Sequence, residues 1–110
     1  MRKIIVTMEN CEEVAAELVE ELFDKPLRVV SFFRGKGLNS EPKAIPAVVK
    51  LLSGFTFENG RLIIPLKPIR RITWDLNNEK VSITYLDDGM VIIERALGTE
   101  KTIFRVIVES

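Results

Sequence analysis

Apolar residues recur along the chain with two different periods, and the change of period divides it. Cys11, Val14, Ala15, Leu18, Val19, Leu22 and Phe23 follow the i, i+3, i+4, i+7 spacing of one helix face, while Glu12, Glu13, Glu17, Glu20, Glu21 and Asp24 fall opposite. The spacing predicts an amphipathic helix over residues 11 to 24. Asn10 stands at the cap position, and Glu13 three residues on completes a variant of the capping box. Lys25-Pro26 ends the helix, because a residue before proline is pushed out of the helical region. A strand precedes it, Lys3 to Met8, and a second follows, Leu27 to Phe33 or Arg34. This second strand is apolar at nearly every position, as a strand covered on both faces should be. Its expected neighbour is the first strand, in a right-handed β-α-β unit.

A compact apolar run, Ala44 to Leu52, predicts a second, mostly buried helix, with Pro46 tolerated in its first turn where the missing N–H has no partner anyway. From Phe55 the pattern becomes one of strands and turns. Asn59-Gly60 between Phe55-Thr56-Phe57 and Leu62-Ile63-Ile64 is a two-residue hairpin signal, since both turn positions need positive φ. Pro65 and Pro68 interrupt pairing, so this segment reads as a corner or an edge. Strands then follow at Ile69 to Leu76, Lys80 to Leu86, Met90 to Leu97 and Thr102 to Val108, separated by Asn77-Asn78, Asp87-Asp88-Gly89 and Gly98-Thr99-Glu100. Ile72, Trp74 and Leu76 alternate with Thr73 and Asp75, which predicts one packed and one wet face.

The expected fold is therefore α+β with two helices in one domain of residues 1–110: an N-terminal β-α-β-α part over 1–54 and a C-terminal antiparallel β-meander over 55–110. A chain of 110 residues with 46% hydrophobic content can bury one core without disulfides or metal. The β-α-β-α-β order of the first half, with a basic glycine turn at Arg34-Gly35 between the second strand and second helix, resembles the arrangement of Alba-type archaeal chromatin proteins, an analogy of element order alone.

Composition narrows the chemistry. No apolar run approaches the roughly 20 residues that span a bilayer, and no cleavage-site pattern follows the short apolar start, so a cytoplasmic protein away from membranes is expected. One cysteine, Cys11, permits no internal disulfide, and the lack of histidine removes the commonest metal ligand and general base. Zinc sites, a Ser/His/Asp triad and a Cys/His pair are excluded within the chain, and no cofactor is expected. The absence of glutamine beside abundant Glu, Lys, Arg, Ile and Val suggests a thermophilic source.

Net charge is zero, yet charge is segregated. Residues 9 to 24 carry seven acids and no base, whereas residues 25 to 50 carry Lys25, Arg28, Arg34, Lys36, Lys43 and Lys50 against Glu41 alone. Arg61, Lys67, Arg70 and Arg71 form a second basic cluster with no acid among residues 61 to 71. Gly35-Lys36-Gly37 matches neither the dinucleotide fingerprint, whose third glycine is replaced by Ser40, nor a Walker A loop. Its glycines nevertheless let backbone N–H groups approach an anion. Arg34, Gly35, Lys36, Gly37, Lys43, Arg70 and Arg71 are thus the candidate phosphate contacts of a small non-enzymatic nucleic-acid-binding or accessory protein. The same glycines and cations also suit a plain soluble turn. The alternative is a protein-interaction or regulatory module, acting as a homo-oligomer or adaptor through strand edges and the acidic helix. An enzyme using carboxylates, such as Asp75, Asp87 and Asp88 on a divalent metal, is a third class, against which Asp87-Asp88-Gly89 reads as a hairpin turn.

Overall fold

The computed structural model describes residues 1–23, 25–36, 48–51, 54–67 and 71–108. Among them there is one helix, α1 (Cys11–Leu22), and nine strands: β1 (Arg2–Val6), β2 (Leu27–Lys36), β3 (Val48–Leu51), β4 (Thr56–Glu58), β5 (Arg61–Lys67), β6 (Arg71–Asp75), β7 (Lys80–Tyr85), β8 (Val91–Leu97) and β9 (Glu100–Val108). The fold is β-rich and antiparallel, which corrects the expectation of an α+β protein with two helices and a β-α-β-α unit. Hydrogen bonding runs β1-β7-β8-β9-β2-β3-β5-β4, with β6 on the other side of β5. β1, β7, β8, β9 and β2 form a broad sheet, β4, β5 and β6 a small one, and β3 joins them by pairing with β2 at Leu27 and Arg28 and with β5 at Leu66 and Lys67.

The second expected helix is the first point of correction. Val48 to Leu51, inside the apolar run read as helical, is strand β3; residues 44–47 lie outside the described residues. A short apolar run has no period that separates helix from strand, and the β-branched pair Val48-Val49 favours the extended form. Among the described residues, the element order that carried the likeness to Alba-type proteins is therefore absent.

The first crossover is also wider than expected. β1 and β2 are not neighbours, because β7, β8 and β9 lie between them. Each step along that path is antiparallel, so β1 and β2 still point the same way. Four inter-strand steps of about 4.8 Å make roughly 19 Å, and a 12-residue helix is about 18 Å long. α1 is long enough to carry the chain across the whole meander.

The core lies between the two sheets and α1. Val81, Ile83, Val91, Ile93, Val106 and Leu27 line the broad sheet's inner face, Leu62, Ile64, Leu66, Ile72 and Trp74 the small sheet's, and Cys11, Val14, Ala15, Leu18 and Leu22 the helix stripe. Arg95 on β8 spans the layers at one margin: it donates to the Thr73 carbonyl of β6 and pairs with Glu79 at 3.0 Å.

Several local features follow from sequence as expected. Asn59 and Gly60 have φ of 53° and 77° and close the β4–β5 hairpin, and a Cβ on Gly60 would overlap the Asn77 side chain. Asn10 does occupy the N-cap of α1, but its side chain makes no cap bond. It donates instead to the Ile5 carbonyl and accepts from the Thr7 N–H, tying the helix start to the end of β1. Pro65 lies within β5 rather than at a corner. On one edge of β5, pairing passes from β4, which ends at Ile63, to β3, which begins at Leu66, so Pro65 falls in the gap where no N–H is called for.

Candidate functional site

The strand that replaces the second helix gathers cations. Lys50 of β3 stands directly opposite Lys67 of β5, and two positions back along β5 Pro65 stands opposite Arg71 of β6. On the other side of β3, Arg28 of β2 is opposite Val48 and, across β2, Ile107, and it alternates with the buried Leu27. Inward positions of β5 are Leu62, Ile64 and Leu66, so Lys67 belongs to the outer row. Arg28, Lys50, Lys67 and Arg71 are all exposed. They form an arc over the outer side of the seam where the broad sheet turns into the small one.

The sequence around β3, β5 and β6 is poor in acids. No acid occurs in residues 42–57 or 59–74, the segments that contain β3, nearly all of β4, β5 and nearly all of β6. Like charges directly opposite on neighbouring strands destabilise a sheet by up to about 1 kcal/mol, and Lys50 with Lys67 is such a pair. Arg61, at the other end of β5, is treated differently, since it stands between Glu58 of β4 and Asp75 of β6. Along β5, Arg61 therefore stands between two acids, whereas Lys67 stands opposite another lysine.

The residues singled out from sequence are dispersed by this topology. Arg71 joins the arc. Arg34, Gly35 and Lys36 are the last residues of β2 and stand opposite Thr102, Lys101 and Glu100 of β9, so Gly35 is a strand residue and not part of a turn. Arg34 lies six residues along β2 from Arg28, roughly 20 Å. Gly37, Lys43 and Arg70 lie outside the described residues. Arg28, Lys50 and Lys67 were passed over as candidates. For Lys50 and Lys67 the signal is an absence, the lack of any acid in residues 42–57 and 59–74, and only strand pairing places them and Arg28 on one seam.

Other candidate chemistry resolves into structure. Asp88 accepts from the Met90 N–H at 2.9 Å and Gly89 has φ of 90°, so Asp87-Asp88-Gly89 is a hairpin turn, with Asp87 paired to the N-terminal amine. Asp75 accepts from Asn77 and Asn78 and shapes the next turn. Among the described residues no three Cys, Asp or Glu side chains cluster as a metal site. Cys11 is fully buried, and burial more than the neighbouring Glu12 pushes its thiol pKa up. An open hollow of about 390 Å³ lies between the end of α1 and the β7–β8 turn, bordered by Glu20, Glu21, Lys25, Tyr85 and Met90. Burial, with help from Glu21 and Glu17, pushes the Tyr85 phenol up to about 12, so it stays neutral at physiological pH. The Arg2 guanidinium lies 4.7 Å from the centre of the Tyr85 ring and also pairs with Glu17 of α1. This cluster ties β1, β7 and α1 together.

The chain matches no known family profile and no curated protein sequence. It is similar in structure to the Bacillus subtilis YojF protein, whose crystal structure it matches with a TM-score of 0.63 at 13% identity, over 99% of this chain and 96% of that one. At that identity the likeness is one of fold, and it extends over both sheets and the crossover helix.

Proposed function

We propose that the protein is a non-enzymatic nucleic-acid-binding module that holds backbone phosphates on the arc of Arg28, Lys50, Lys67 and Arg71. The observation that carries this reading is the direct opposition of Lys50 and Lys67 on an exposed sheet face. A phosphate held beside these cations makes charge-assisted contacts with them. Trp74 is buried in the core, and Phe55, Phe57 and Tyr85 pack against it, so these rings offer no stacking platform. Binding then rests on phosphates and carries little sequence preference.

Fluorescence anisotropy with a labelled duplex across a salt series tests this. Four phosphate contacts give a slope of log K against log salt of about −3 to −4. Lys67→Glu with Arg71→Glu weakens binding and flattens that slope by about two. Arg34→Glu with Lys36→Glu, at the far end of β2, has the smaller effect. A duplex that fails to bind at low salt, or equal losses in both double variants, overturns the reading.

A further inference from the structure

The open hollow between the end of α1 and the β7–β8 turn shares no residue with the arc, and its lining is of three kinds. Leu22, Leu86, Met90, Val91 and Val108 give it apolar surface, Glu20 and Glu21 add carboxylates, and Lys25 adds an ammonium. Lys25 is held just past the helix end, its backbone N–H donating to the Leu22 carbonyl at 3.2 Å. At about 390 Å³ the hollow falls in the lower part of the range of small-molecule sites, roughly 300–1,000 Å³.

Charge at this end of α1 runs against the helix dipole. The last carbonyls of a helix lack intrahelical partners and form its negative pole, which basic side chains ordinarily offset. Here the last turn holds Glu20 and Glu21 and no base. Arg2, which also feels Glu21, is already paired with Glu17. Among the described residues Glu20, Glu21 and Lys25 take part in no ion pair. Tyr85 borders the same hollow, and its phenol oxygen is buried without a hydrogen-bond partner, a polar group whose need the protein itself does not meet. Two carboxylates and a helix's negative pole favour a ligand that brings a cation, Lys25 favours one that brings an anion as well, and the apolar surface favours a hydrocarbon portion. We propose that the hollow binds a free α-amino acid with an apolar side chain, its ammonium at Glu20 and Glu21, its carboxylate at Lys25 and its side chain against Leu86, Met90 and Val108. This site is independent of the phosphate reading. A ligand in an open hollow keeps part of its surface in water, which holds Kd to the order of 1 mM.

Amide NMR titrations with leucine and phenylalanine, carried well above that Kd, test the proposal. Both amino acids shift the signals of Glu20, Glu21, Lys25, Met90 and Val91 in a saturable way. N-acetylleucine, which lacks the ammonium, binds about fivefold more weakly or worse, and Glu20→Gln with Glu21→Gln costs leucine as much. Lys25→Met weakens leucine about threefold and leaves isopentylamine, which lacks the carboxylate, bound as before. Glu20, Glu21 and Lys25 are exposed, so the variants keep the dispersed spectrum of the folded chain. Absence of saturable shifts, N-acetylleucine binding as well as leucine, or leucine binding untouched by the glutamine pair overturns the proposal. Equal losses of leucine and isopentylamine in Lys25→Met overturn the place given to the carboxylate.

Discussion

The meander β7–β8–β9 and the seam β2–β3–β5 are built from the same antiparallel pairing, yet they are held in opposite ways. β8 pairs with β9 along its whole length and with β7 from Val91 to Ala96, through short turns that join strands adjacent in sequence. β3 is held at Leu27 and Arg28 on one side and at Leu66 and Lys67 on the other, by strands distant in the chain. The meander alternates buried and half-buried positions, with Arg95 and Glu94 each in an ion pair. The seam instead sets Lys50 against Lys67. Local pairing buries its side chains or sets them in ion pairs, whereas the long-range junction places two exposed lysines opposite each other.

Three measurements sharpen that contrast. The largest effect belongs to what both regions share: Trp74→Ala empties a fully buried position between the two sheets and should cost about 3–5 kcal/mol in a denaturant titration. Native-state hydrogen exchange comes next. Amides of β8 should exchange only with global unfolding, while those of β3 open locally, at least about tenfold faster. Equal protection would remove the distinction between the two regions. Lys67→Glu is the smallest in energy and the most telling: placing a carboxylate opposite Lys50 should leave stability unchanged or raise it by up to about 1 kcal/mol, while duplex binding falls. A destabilised Lys67→Glu protein would mean the opposed lysines are not a strain on the sheet.

What was legible in the sequence follows the range of the interactions concerned. α1 could be read because its apolar stripe and acidic face are set by 3.6-residue periodicity, and it ends at Leu22 close to the expected stop. The β4–β5 turn could be read because Asn59-Gly60 meets a backbone demand that few residue pairs meet. β7, β8 and β9 could be read because alternation and turn residues act between neighbours in sequence. The crossover was misread because a β-α-β order is silent on how many strands it spans, and here β7, β8 and β9 enter between β1 and β2 from later in the chain. β3 was misread because an apolar run of its length has no decisive period.

The candidate site divides in the same way. Segregated charge, with an acidic stretch over residues 9 to 24 and acid-free basic stretches beyond it, belongs to the sequence alone. Which cations share a surface was decided only in three dimensions. Pairing of β3 with both β2 and β5 brings Arg28, Lys50, Lys67 and Arg71 together and carries Arg34 and Lys36 to the far end of β2. The physical reason is that side-chain period and turn chemistry act within a few residues, whereas strand order is chosen by burial of the whole core, and it is strand order that brings distant charges side by side.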